Sequence, residues 1–197
     1  MSQTKCLSSE RYEGIKQEID YLLEECPGIT YPIDPFEIAE KLHYYVVPYS
    51  HLSESSYEFA ISVSNDAFSC VKKHPESGML VYVIYYNDFC FSQERINWSI
   101  AHEIAHIYLG HHDMYADNTQ EQEANFFAKY LLAPPALIHE LHCRDYEDVA
   151  QKFNLSKQAA QYVYASYQVW LHKGPRNYQK LERKLIRNYL NNFNLKN

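Results

Sequence analysis

A chain of 197 residues, 46% of them hydrophobic and 22% charged, lies in the ordinary globular range and is long enough to bury a core of its own. The longest apolar run without proline, Met79–Tyr86, is far too short to cross a bilayer, and the first residues lack the apolar stretch of a secretion signal. The net charge of −7 is uneven: from His172 onward there are seven Lys or Arg against Glu182 alone, so a basic tail follows an acidic body.

The five cysteines, Cys6, Cys26, Cys70, Cys90 and Cys143, are odd in number and scattered. That pattern points to free thiols in a reducing compartment, and hence to a cytoplasmic protein with no membrane association. Tyr occurs 19 times against 5 Gly, and its large contact area with a polar tip suits grooves and surfaces.

In chain order, Ser8–Cys26 reads as a helix with an apolar stripe of Tyr12, Ile15, Ile19, Leu22 and Leu23, stopped by Pro27-Gly28. Asp34-Pro35-Phe36-Glu37 starts a second helix, running to about His43. Strands are expected at Tyr44–Tyr49, Phe59–Val63, Ala67–Val71 and Met79–Tyr86, the last preceded by turn chemistry at His74–Gly78. Ser92 is placed to cap a helix from Gln93 to Leu109, closed by Gly110. Thr119 with Gln122 would open the next, which ends before Pro134-Pro135. Helical patterns follow at Ala136–His142, Tyr146–Phe153, Ser156–Leu171 and Asn177–Phe193.

The chemistry concentrates in His102-Glu103-Ile104-Ala105-His106, an H-E-x-x-H motif inside the predicted Gln93–Leu109 helix. Residues four apart share a helix face, so two imidazoles can converge on one zinc ion, and Glu103 stands beside it as a general base. A helix that buries His, Glu and His needs partners for all three, and a metal supplies them together. Catalytic zinc takes a third protein ligand and keeps a position open. Glu121 and Glu123 are the candidates, pointing to nearly opposite sides of their helix. Periodicity favours Glu121, which shares a face with Asn125, whereas Glu123 shares its side with Phe127. Tyr115, Tyr130, His139 and His142 are candidates to stabilise an oxyanion, and Met79–Tyr86 is the candidate strand for pairing with an extended substrate. His111 and His112 read as residues of the helix end or the surface.

The stretch His102–His111, followed by Glu121–Pro134, resembles the ImmA/IrrE metallopeptidases, with further likeness at Asp34–Val47 and Met79–Trp98. The resemblance implies His102, His106 and Glu121 as ligands of Zn2+, Glu103 as the general base, and a protein substrate, a helix-turn-helix transcriptional repressor. The order of elements, helices, a small sheet and then a helical run, makes an α+β fold, and the resemblance implies a zincin-like metallopeptidase domain at 1–143, with helices and a small, mostly antiparallel sheet. A helical C-terminal region at 144–197 follows. Two other functions are weighed against regulated proteolysis. Tyr146–Phe153, a short turn and Lys157–Leu171 have the lengths of a DNA-binding helix-turn-helix, although the second helix opens with a single cation, few for phosphate contacts. The alternative is a metal-binding regulator that holds a repressor without cutting it.

Overall fold

The computed structural model describes residues 7–89, 92–111, 117–173 and 178–195; Cys6, Cys90, His112, Tyr115 and the start of the predicted Asn177–Phe193 helix lie outside them. Helix α1 (Ser9–Glu25) opens on Ser8, whose hydroxyl accepts from the Arg11 amide, and buries Ile15, Ile19 and Leu22 along one stripe. Helix α2 (Pro35–Lys41) starts where Asp34 accepts from the Phe36 amide, and the chain leaves it through His43 at φ 57°. Strand β1 (Tyr45–Pro48) and a 3-10 turn (Tyr49–His51) come next.

The segment Phe59–Val63, expected as a strand, is instead the second half of helix α3 (Glu54–Val63). Its β-branched and aromatic residues suggest a strand, but Tyr57, Ala60 and Ile61 recur at helical spacing and pack on Tyr49, Val83 and Tyr85. Tertiary contact on one helix face outweighs local propensity there.

Strands β2 (Ala67–Lys73) and β3 (Leu80–Tyr86) form an antiparallel hairpin through Gly78 at φ 69°. The sheet order is β1-β3-β2, and β1 lies parallel to β3, pairing Val46 with Ile84. The sheet is therefore mixed, with one parallel and one antiparallel pair. Helix α3 carries the chain between β1 and the hairpin, a reversal that side-chain periodicity does not encode.

Helix α4 (Gln93–Tyr108) packs on the opposite face of the sheet from α3. Ser92 stands at its cap position without bonding a backbone amide; its hydroxyl donates to Glu94 instead. Helix α5 (Asn118–Leu132) is capped two residues earlier in sequence than Thr119 and Gln122 suggest. Asp117 accepts from the amides of Thr119 and Gln120, and the Gln120 side chain accepts from the Asp117 amide. Aspartate outcompetes threonine here because its charged oxygen accepts two amides at the positive end of the helix.

Helices α6 (Pro135–Glu140), α7 (Tyr146–Phe153), α8 (Lys157–Lys173) and α9 (Lys180–Leu195) complete the order. One hydrophobic cluster runs through α1, α4 and α5 and continues into Val149, Phe153, Val163, Leu181 and Leu185 of residues 144–197. The basic tail folds back on the body: Leu181 and Leu185 are buried, and Lys184 pairs with Asp20 and Glu24 of α1. In the α7–α8 pair the first turn of α7 carries Glu147 and Asp148, and Lys157 is drawn to Glu147 at 3.7 Å. No helix among the described residues is long and apolar enough to cross a membrane.

Candidate metal centre

Helix α4 is buried along most of its length, with Ile100, Ala101, Ile104 and Ala105 fully out of solvent, so its polar side chains are fixed by the packing around them. His102 and His106, one turn apart, bring their Nε2 atoms to 3.0 Å. From α5, Glu121 places Oε2 3.4 Å from His102 Nε2 and Oε1 3.5 Å from His106 Nε2. Two donors on a tetrahedral zinc, each at roughly 2.0–2.1 Å, stand about 3.3 Å apart. The three separations bracket that value, so His102, His106 and Glu121 can hold one metal ion between them. The two imidazoles, His102 first, hold the Glu121 carboxyl well below the usual carboxylate range, keeping it a charged oxygen donor.

Glu103 is 8% exposed and points from α4 toward the sheet, where Ser69 Oγ of β2 donates to its Oε2 at 2.7 Å. Both carboxylate and imidazoles open into a cavity of about 1020 Å³ between α3, β2, α4 and α5. Its apolar lining includes Phe59, Val63, Phe68, Val71, Tyr82 and Trp98. Asn125 lines the same cavity, but among the described residues it makes no hydrogen bond to either ring.

Glu123 turns away from Glu121, as their spacing requires, and meets two other partners. Arg11 of α1 donates to its Oε1 from Nε at 2.6 Å and to its Oε2 from Nη2 at 2.5 Å. On its other side, Glu123 Oε2 lies 3.0 Å from His111 Nε2. The Arg11 guanidinium, aided by His111, holds the Glu123 carboxyl below its ordinary value. His111 is no surface residue: its side chain is 6% exposed, and its Nδ1 lies 3.0 Å from His106 Nδ1. Burial pushes its basicity down, favouring the neutral ring.

The helix end explains this placement. Gly110 at φ 73° sends its amide to the Ile107 carbonyl, and His111 sends its own to the His106 carbonyl at 2.8 Å. This is the double hydrogen bond of a Schellman ending, which lays the residue after the glycine against the one five positions earlier. Gly110 is the helix stop that the sequence predicts, and its positive φ is what brings His111 back against His106. Ser69 and Arg11 carry no local signal; only the tertiary fold brings them in.

Three of the oxyanion candidates lie elsewhere. Tyr130 is buried between α1 and α5 with its hydroxyl unpaired among the described residues, His139 bonds Tyr167 at 3.2 Å, and His142 sits at the end of α6; none lines the cavity. The fourth, Tyr115, lies outside the described residues. The strand expected to pair with substrate, Met79–Tyr86, is the central strand, flanked on both sides. Of the two edge strands, β1 and β2, it is β2 whose residues Ala67 to Lys72 line the cavity.

No curated protein sequence matches the chain. The family model of the M78 peptidases, described as the IrrE N-terminal-like domain, matches residues 57–163, from the second turn of α3 to the middle of α8. That span holds β2, β3, His102, Glu103, His106 and Glu121 and covers more than half of the sequence, so the chain belongs to the M78 peptidase family.

Proposed function

We propose that this protein is a zinc-dependent endopeptidase in which His102, His106 and Glu121 hold the ion and Glu103 is the general base. The observation that carries the reading is the convergence of three side chains, whose nearest donor atoms stand 3.0 to 3.5 Å apart pair by pair, beside a buried carboxylate at the wall of an open groove. A zinc ion in such a site polarises the substrate carbonyl and acidifies water.

The protein supplies the rest of the chemistry. Glu103 takes the proton of the attacking water and returns it to the departing amine, a shuttle that needs a carboxylate held in one orientation. Ser69 provides that hold from β2. An extended peptide can add to the open edge of β2, its backbone bonded to the strand and alternate side chains entering the apolar lining. The resemblance to ImmA/IrrE metallopeptidases supports a cytoplasmic regulatory role, with a helix-turn-helix repressor as the protein cut.

The test is metal content together with cleavage. Purified protein is expected to carry about one zinc per chain, lost in His102→Ala and Glu121→Ala. Glu103→Gln is expected to keep the ion and lose cleavage of a co-expressed repressor. A wild-type protein that takes up no zinc when supplied would sink the reading. Relief of repression that survives Glu103→Gln with zinc bound would replace proteolysis by a binding mechanism.

A further inference from the structure

The metal centre continues outward through a chain of contacts that its three donor side chains do not need in order to meet. His106 Nδ1 touches His111 Nδ1 at 3.0 Å, His111 Nε2 touches Glu123 Oε2 at 3.0 Å, and Arg11 closes on both oxygens of Glu123. We infer that Arg11, Glu123 and His111 form a positioning relay that orients His106 toward the ion, making the N-terminal helix a working part of the centre. The inference rests on the zinc site proposed above.

Donors and acceptors fix the direction of the relay. A ring that offers its Nε2 lone pair to a cation must carry its proton on Nδ1. His106 Nδ1–H then donates to His111 Nδ1, which leaves the His111 proton on Nε2, where Glu123 accepts it. Each nitrogen and oxygen along the path is matched without charging either imidazole. The only formal charges, on Glu123 and Arg11, neutralise each other. A carboxylate behind a ligating imidazole both sets the ring's orientation and makes it a better electron donor. Here a second imidazole extends that reach by one side chain.

The two proposed histidine ligands are treated differently. His102 Nδ1 is buried and has no hydrogen-bond partner among the described residues, whereas His106 Nδ1 is engaged. The relay therefore acts on one side of the site alone. Its outer end is also distinctive: Arg11 lies in α1, outside residues 57–163, so the M78 match does not contain the group that anchors the chain of contacts. Helix α1 is in turn held against α5 and α9. Glu123 is 9% exposed at its side chain, so removing Arg11 would leave a nearly buried carboxylate facing His111 alone.

The experiment uses the full chain and reads metal binding rather than turnover. Zinc affinity is measured by competition with a chromogenic chelator, and the cobalt(II) form is followed by its visible absorption. His111→Leu, which can neither accept nor donate, and Arg11→Met are each expected to weaken zinc binding roughly 10–100-fold and to shift the cobalt band. His111→Gln keeps one acceptor and one donor in the amide and is expected to retain most of the affinity. Circular dichroism and melting identify any variant that fails to fold; should His111→Leu fail, Arg11→Met decides, since its side chain reaches the site from the rim. Unchanged affinity and an unchanged cobalt spectrum in folded Arg11→Met and His111→Leu would overturn the relay while leaving the zinc site standing. A wild-type protein that binds neither metal would remove both.

Discussion

Ser69 and Glu103 join the sheet to the candidate catalytic helix through one 2.7 Å hydrogen bond, from the middle of an edge strand to the carboxylate between two histidines. The serine thus lies both in the strand that a peptide would extend and against the base that would serve its cleavage. A hydrogen bond to a charged group contributes about 1.5–3 kcal/mol. Ser69→Ala is therefore expected to lower kcat by about tenfold or more, since roughly 1.4 kcal/mol is a factor of ten. Zinc content should not change, because Ser69 touches none of the three donors. Equal kcat in wild type and Ser69→Ala on a cleavable peptide would show that Glu103 is oriented by something else.

The open edge of β2 makes a chemical prediction through Cys70. This thiol lines the cavity and is partly exposed, whereas Cys26 and Cys143 are buried in the core. Burial pushes the Cys70 thiol up from its ordinary value, so less thiolate is present near neutrality and alkylation should go on accelerating above the pH at which an ordinary thiol levels off. A peptide bound along β2 should slow modification of Cys70, read by mass spectrometry of the fragment that contains it. Modification at the same rate with saturating peptide would place the substrate off this edge.

Lys129 gives a signature in stability. It is held on α5 with its ammonium 2.9 Å from Ser166 Oγ and near the rings of Tyr162 and Phe126, and burial pushes it down to about 8. Between that value and the usual lysine range the unfolded chain binds more protons than the folded one, so stability rises with pH across this window. The gain is at most about 3 kcal/mol. Burial raises the Cys26, Cys70 and Cys143 thiols and the Tyr31 and Tyr130 hydroxyls, which hold their protons in the fold and oppose this trend from about pH 9 upward. Urea unfolding at pH 7.5, 8.5 and 9.5 should therefore show the stability of wild type relative to Lys129→Met rising with pH. A profile unaltered by the substitution would assign the slope to other groups.

Residues 144–197 share one core with the rest, and Leu185 of α9 is 2% exposed within it. Leu185→Ala is expected to cost about 2–5 kcal/mol and to lower the midpoint of a single unfolding transition. Two separated transitions, with only the later helices melting early, would show that this region folds by itself.

What the sequence disclosed followed from distance along the chain. The grouping of His102, Glu103 and His106 was legible because one helix turn sets their spacing. That one of Glu121 and Glu123 joins the candidate site followed from their two-residue offset, and the preference for Glu121 from the face it shares with Asn125. The end of α4 was also readable, yet the meaning of Gly110 stopped short of His111. A Schellman ending had to be followed one residue further to see an imidazole laid against His106. Arg11 is 112 positions from Glu123, and no periodicity links them. The strand expected at Phe59–Val63 failed for a different reason. Its composition favours extended chain, and only the packing of Ala60 against Tyr49 and the sheet makes a helix the better choice.

An unpaired strand edge suited to receiving a peptide is also suited to receiving another copy of itself. Strand β2 is seven residues long and its outer side carries no neighbour among the described residues, so a single register of self-pairing would bury it at high protein concentration. Lys72 and Lys73 close its far end, and like charges meeting across two such edges oppose that union. Replacing both by glutamine should promote self-association in light scattering at low salt, and no such change would locate the protection elsewhere. Colloidal behaviour and substrate capture would then be set by the same seven residues, and an added peptide that occupies the edge should keep the protein dispersed.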